Sequence, residues 1–86
     1  MAAVLTPDEI RERTRSYLTT SLARELADDE DIFAAGFVNS LFAAQLVTFV
    51  EDRFGITVEN DELELAHFSS VDAVTAFVTG KTGGAR

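Results

Sequence analysis

The sequence contains no cysteine and no tryptophan, and only one proline and one histidine among its 86 residues. Without cysteine the chain can form neither a disulfide nor a thiolate metal site. Apolar residues make up 47% of the chain, which is enough for one hydrophobic core, so the fold must depend on packing within one domain. The lone histidine, His67, lies between Ala66 and Phe68 ahead of a helix, where a structural role is favoured over catalysis.

Basic residues are also scarce: the chain has seven Lys and Arg and fifteen Asp and Glu, which gives a net charge of -8. This charge repels phosphate backbones and anionic lipid headgroups, so we expect neither a nucleic acid nor a membrane as a partner. It favours proteins with basic patches, although it serves equally well to keep a domain soluble. No apolar run approaches the roughly 18 residues of a membrane span, and no basic segment leads into an apolar one at the N-terminus. We expect a soluble, cytoplasmic monomer.

Capping residues and helical spacing predict the first and the last helix. Thr6 opens a Thr-Pro-Asp-Glu capping box, and the apolar stripe that follows predicts a helix ending near Ala27. Ser69 and Asp72 form a second capping pair. The apolar stripe that follows this pair predicts a last helix that ends at Gly80. The stripe residues are Ile10, Thr14, Tyr17, Leu18, Leu22 and Leu26 in the first helix, and Val71, Val74, Phe77 and Val78 in the last.

Two loops and two further helices are expected between them. The acidic run at residues 28–31 lacks the alternating ligands and placed glycine of a calcium loop, so it predicts a solvated turn and no metal site. Gly36 marks a point where the backbone favours positive φ, and a helix begins at Asn39 or Ser40 and ends at Gly55. Residues 56–58 are β-branched but have no pairing partner, which favours an extended loop.

The segment at residues 60–65 is compatible with a short acidic helix, after which apolar side chains return the chain to the core. The predicted architecture is all-α, a four-helix bundle with three longer helices and a short third one. It spans residues 6–79, between a flexible N-terminus at residues 1–5 and a flexible tail at residues 80–86. The returning side chains are those of Leu63, Leu65 and Phe68.

Ser40 stands at the start of the second helix on the side expected to face water. At about 100° per residue, an apolar cluster lies opposite Ser40, while Ala44, Thr48 and Glu51 share its side. No histidine is near in sequence, so this hydroxyl has no base to activate it. A serine at a helix start is most often a simple cap. The opposite cluster consists of Phe42, Ala43, Leu46, Phe49 and Val50.

The stretch DEDIFAAGFVNSLFAAQLV, residues 29–47, resembles the attachment motif of acyl carrier proteins. In that family an acid, an apolar residue and a glycine precede an Asp-Ser-Leu triplet; here they are Asp31, Phe33 and Gly36, followed by Asn-Ser-Leu. The resemblance covers roughly residues 6–79 and implies an acyl-carrier-like four-helix bundle that is not an enzyme. It also implies that Ser40 receives covalent 4′-phosphopantetheine from coenzyme A through a separate magnesium-dependent transferase. Asn39 replaces the usual aspartate, which leaves the transferase preference open.

The resemblance further implies partners and a place in metabolism. They are a phosphopantetheinyl transferase and the enzymes that load, modify and accept the acyl group. Residues 36–56 look most like freestanding carriers of polyketide pathways, on which extender units such as methoxymalonyl are built from a glyceryl precursor. An aminoacyl or peptidyl carrier of nonribosomal synthesis, or an unmodified four-helix interaction module, would explain the same features. The residues expected to dock partners, largely by apolar contact, are Asn39, Leu41, Ala44, Gln45, Thr48 and Glu51.

Overall fold

The computed structural model describes residues 6–34, 36 and 38–82. They form helices α1 (Pro7–Leu22), α2 (Ser40–Phe54), α3 (Leu65–Phe68) and α4 (Val71–Lys81), with a 3₁₀ turn at Asn60–Glu62 and, within these ranges, no strand. This confirms the predicted all-α fold with three longer helices and a short third one. No helix in the described part of the chain is long and apolar enough to span a membrane. Residues 1–5 and 83–86, most of the predicted flexible termini, lie outside the described residues.

Side-chain caps begin the three longer helices. The predicted capping box of α1 is present: the Thr6 hydroxyl accepts from the Glu9 amide, and the Glu9 carboxylate accepts from the Thr6 amide. At α4 the prediction is wrong by one residue, because the Ser70 hydroxyl, rather than that of Ser69, accepts from the Ala73 amide at 3.0 Å. The Ser69 hydroxyl instead points back along α3.

Two predicted helix ends are also wrong. Helix α1 stops at Leu22 rather than near Ala27, because Ala23 adopts the left-handed conformation at φ 56° and its amide closes the helix on the Thr19 carbonyl. Helix α4 continues through Gly80 to Lys81. The Lys81 ammonium donates to the Glu62 carboxylate at 2.8 Å, which ties this last turn to the 3₁₀ segment.

The core lies where α4 packs against α1 and α3. Every long element contributes fully buried side chains, and the loops add Ile32 and Val58. Leu26, which the stripe placed on α1, reaches this core from the loop after the helix. The buried apolar residues are Ile10 and Leu18 of α1, Leu46 and Val50 of α2, Phe68 of α3, and Val71, Val74 and Val78 of α4.

The acidic run at residues 28–31 is more than a solvated turn. The half-buried Asp28 accepts two hydrogen bonds of 2.8 Å from the Arg15 guanidinium, and its carbonyl accepts from the Asp72 amide at 2.9 Å. Arg11 bridges the Asp28 and Asp72 carboxylates. The hydrogen bond from Arg15, with charge attraction from both arginines, lowers the pKa of Asp28. These contacts hold the loop against α1 and α4.

Candidate functional site

Ser40 is the first residue of α2, and its side chain is exposed. The hydroxyl makes no hydrogen bond to another described residue, so no internal contact has to break before it can react. The prediction that it faces water at the helix start is confirmed. No His, Lys or carboxylate activates this hydroxyl within the described part of the chain, which makes it a poor nucleophile on its own.

Asn39, rather than Ser40, caps α2. Its backbone is extended, and its side-chain oxygen accepts from the Phe42 amide at 3.1 Å. Asparagine is among the best residues for this position, so replacing the family's usual aspartate keeps the cap while removing one negative charge. Because Asn39 is the cap, the hydroxyl of Ser40 does not have the capping role that serines at helix starts usually have.

The loop before Ser40 is fixed by its own polar residues and by one buried anchor. The Asp31 carboxylate accepts from the amides of Phe33 and Ala34 at 3.0 and 2.9 Å, and the Gly36 amide closes a turn on the Phe33 carbonyl at 3.1 Å. Gly36 has φ 81°, which confirms the expected need for a residue that tolerates positive φ. Ile32 is fully buried. The acid, the apolar residue and the glycine of the motif thus shape the approach to α2. Phe37 lies outside the described residues.

The start of α2 suits a phosphate group. The first turn contains no acidic side chain, and it carries the positive end of the helix dipole. The cap uses the amide of Phe42, and the Ala43 amide bonds to the Asn39 carbonyl, which leaves the amides of Ser40 and Leu41 without a partner in the described residues. An exposed hydroxyl beside free amides, in a first turn without acidic side chains, fits a phosphodiester.

The strip that follows Ser40 on α2 is mostly exposed and uncharged, as expected. Leu41 is 68% exposed, Ala44 and Gln45 are exposed, and the Thr48 hydroxyl donates to the Ala44 carbonyl at 3.2 Å. Glu51, in contrast, is half-buried, and the prediction that it stands free in this strip is wrong.

Glu51 ties α2 to the loop that follows it. Its carboxylate accepts from the Val58 amide at 2.8 Å, and Val58 is buried. An acceptor at this position holds the returning loop against the helix. This contact could not be predicted from the sequence, because it depends on how the chain turns back after Gly55.

An open apolar groove of about 130 Å³ lies beside the strip, between α2 and the segment leading into α3. Leu63 and Leu65 on its rim are 52% and 58% exposed, so the expectation that both return to the core is wrong. Phe68 alone does so. The signal was present in the sequence: the two leucines are two residues apart among acids, a spacing that does not fit the buried face of a helix. The remaining lining is Ala43, Ala44, Val47 and Glu64.

His67 packs against aromatic rings, as its structural interpretation predicts. Its ring centroid lies 4.8 Å from that of Phe77, and it meets Phe68 edge-on. These contacts place it on the α3–α4 side of the molecule. No chemistry at Ser40 is assigned to it.

Comparison with known proteins gives one family. The profile of the phosphopantetheine attachment site family matches residues 8–78, which cover all of α2 and α3 and most of α1 and α4. No curated protein matches the chain. Carriers of this kind hold 4′-phosphopantetheine covalently and are not enzymes, and they work with a phosphopantetheinyl transferase and with biosynthetic enzymes. The chain belongs to the phosphopantetheine attachment family.

Proposed function

We propose that this protein is an acyl carrier whose 4′-phosphopantetheine is attached to Ser40. The observation that carries the proposal is the exposed, unbonded hydroxyl of Ser40 at an α2 start free of acidic side chains. When bound, the arm supplies a thiol on which an acyl group is held as a thioester. A tethered group has a high local concentration at each docked enzyme, so weak and transient docking suffices.

Modification at Ser40 is a phosphoryl transfer from coenzyme A. The Ser40 oxygen forms a bond to the phosphorus of coenzyme A that carries the pantetheine arm, while the bond from that phosphorus to the 3′,5′-ADP leaving group breaks. The hydroxyl proton passes to a base. The transferase must supply that base and its metal, because the chain presents neither beside the serine among its described residues. What the chain contributes is an accessible hydroxyl and helix-start amides that favour the phosphodiester.

The test is intact-mass spectrometry of the wild type and Ser40→Ala after incubation with coenzyme A and a broad-specificity transferase. We expect a phosphopantetheine mass gain on the wild type and none on Ser40→Ala. Ser70, a serine that caps α4, offers a matched control, and Ser70→Ala must retain the gain. A gain on Ser40→Ala, or none on the wild type with several transferases, overturns the assignment.

We propose further that partners read the strip formed by Leu41, Ala44, Gln45 and Thr48, together with Asn39. The strip adjoins Ser40, is exposed and carries no charge, which favours recognition by shape and apolar contact. Ala44→Glu would place a charge there that must be desolvated when a partner closes over it. Loading of the phosphopantetheinylated protein should then slow while folding persists.

The control for this docking test is Asp52→Asn, which changes an exposed charge near the other end of α2. Asp52 suits this better than Glu51, whose carboxylate holds the Val58 amide. We expect loading by the cognate acyl-loading enzyme to be insensitive to Asp52→Asn and nearly insensitive to salt. If salt and Asp52→Asn abolish loading while Ala44→Glu is silent, recognition is electrostatic, and the strip is not the docking surface.

For the cargo, we propose a polyketide extender unit of the methoxymalonyl type, supported by the resemblance of residues 36–56 to such carriers. Family membership favours a carrier over an unmodified interaction module, and an aminoacyl or peptidyl cargo remains the competing proposal. Protein isolated from its native producer should release a pantetheine fragment with the mass of a glyceryl-derived unit. A fragment bearing an amino acid would establish the competing cargo instead.

A further inference from the structure

The chain has few cations, and most of those described are neutralised by neighbouring acids. Arg11 and Arg15 bind the Asp28 carboxylate, Lys81 binds Glu62, and Arg24 lies near Glu30. The exceptions among the described residues, Arg13 of α1 and Arg53 of α2, make no ion pair with another described side chain and are exposed. In a protein with a net charge of -8, two uncompensated cations are a feature that needs an explanation.

Both arginines line one groove between α1 and α2. The groove is open to solvent, with a volume of about 500 Å³. Its floor is aromatic: the rings of Tyr17 and Phe49 stack with centroids 3.9 Å apart, and the Arg53 guanidinium lies 5.4 Å from the Phe49 centroid. Ser16 and Thr20 add hydroxyls along the α1 wall. The groove thus combines positive charge, an apolar surface and hydrogen-bonding groups.

The α2 residues of the groove lie toward the opposite end of that helix from Ser40. Phe49 and Arg53 lie nine and thirteen residues after Ser40 in α2, which corresponds to about 14 and 20 Å along the helix axis. A partner that pairs with Arg53 and rests on Phe49 would therefore bind toward the opposite end of α2 from Ser40.

We propose that this α1–α2 groove is a second docking surface, which binds an acidic segment of a partner protein. Carboxylates of that segment would pair with Arg13 and Arg53, and one of its apolar side chains would rest on Tyr17 and Phe49. The charge complementarity is local, since the surrounding surface is acidic and repels a segment that is not aligned with the arginines. Glu12, which also lines the groove, pairs with Arg15 at 3.6 Å and marks the edge that acidic side chains must avoid.

The chemistry favours a peptide over phosphate or nucleic acid. Two arginines on an aromatic floor bind carboxylates and apolar groups together, whereas inorganic polyphosphate has no apolar group to place on the floor. A nucleic acid carries a charge at every nucleotide, so the net charge of -8 repels it more strongly than a short segment with a few carboxylates. The proposal does not depend on modification at Ser40, so the mass test of the attachment site and the binding test below succeed or fail separately.

The probe is a short acetylated peptide in which glutamates flank a phenylalanine, titrated into ¹⁵N-labelled protein without phosphopantetheine. Amide shift changes should concentrate in residues 12–21 and 49–53. Arg13→Gln and Arg53→Gln should each raise the dissociation constant about threefold, and the double variant about tenfold, as expected for exposed ion pairs. Arg24→Gln removes the same charge outside the groove and should change the constant little.

Several outcomes overturn the proposal. Absence of binding does so, as does an equal loss in Arg24→Gln or equal affinity for the peptide with glutamines in place of glutamates. Displacement by inorganic phosphate at similar concentration would make the groove a simple anion site. Shift changes that appear in the same residues on raising protein concentration alone would identify a second copy of the chain as the occupant. Circular dichroism of each arginine variant shows whether it is folded.

Discussion

The two ends of α2 are held in different ways. The start is capped by the exposed Asn39, and Ser40 beside it has no contact to lose. The C-terminal end of α2 is capped by Gly55 in the left-handed conformation. The Glu51 carboxylate in its last turn accepts a hydrogen bond from the amide of the buried Val58. The contact with a buried residue thus lies at the end of the helix away from Ser40, so a change at Ser40 should cost the core little.

Truncating the middle of the helix should have the largest effect. Leu46 is fully buried, so Leu46→Ala should lower the free energy of unfolding by about 2 to 5 kcal/mol. Ser40→Ala, which removes an exposed hydroxyl that caps nothing, should change it by less than about 0.5 kcal/mol. Urea denaturation of both variants measures this. Equal midpoints would mean that α2 is rotated about its axis relative to the structure.

Breaking the tie at the anchored end should come next. Glu51→Ala leaves the amide of buried Val58 without its acceptor, and we expect a loss of about 1 to 2 kcal/mol in unfolding free energy. Glu51→Gln keeps an oxygen at that position and should restore most of it. If the alanine and glutamine variants are equally unstable, the contact acts through charge rather than as an acceptor for Val58.

The stability contributed by Asp28, in the loop that leads to the start of α2, should decrease in acid. Because Arg15 lowers the pKa of Asp28 in the folded state, the pair contributes stability fully above the ordinary aspartate value of 3.8. That contribution is lost as pH falls through the lowered pKa. Asp28→Asn should cost about 1 kcal/mol near neutral pH, since the pair is partly exposed, and its stability should fall less steeply below about pH 4. Parallel pH profiles for variant and wild type would exclude this role.

The smallest of these stability effects should come from removing the Asn39 cap at the start of α2. Asn39→Ala should cost about 0.5 to 1 kcal/mol, the lower part of the range for cap removal, because the Phe42 amide loses an exposed acceptor. Asn39→Asp keeps the cap and should retain wild-type stability while adding a negative charge beside Ser40. Thermal denaturation of both variants provides the measurement, and an unstable Asn39→Asp would show that the amide group, not its oxygen, matters.

Local chemistry in the sequence predicted the helices and the exposed position of Ser40 at a helix start, whereas contacts between distant residues could not be read from it. The capping box at Thr6, the glycines at residues 36 and 55 and the exposed Ser40 depend on neighbours a few residues away, and all were predicted. The bond from Val58 to Glu51 and the ion pairs of Asp28 join elements whose approach depends on the packed core. For that reason Glu51 was expected to be free.

The short α3 segment shows the same limit. Leu63 and Leu65 were placed in the core on hydrophobicity alone, although their spacing fits no buried helical face. An apolar residue is not always buried, and only the path of the chain from the 3₁₀ turn to α3 determines which of these side chains reaches the interior. The same reasoning applies to α4, whose last turn extends past Gly80 because Lys81 reaches Glu62.

The packing of α1 against α4 has a consequence for synthesis. These helices lie at opposite ends of the described chain, so the core remains incomplete until α4 has left the ribosome and can return to α1. A nascent chain that has already exposed Ser40 therefore still lacks the α4 side chains that complete the core with those of α1. A transferase that recognises a folded α2 would then act after translation of the domain. Early termination within α4 would yield a chain that does not receive phosphopantetheine.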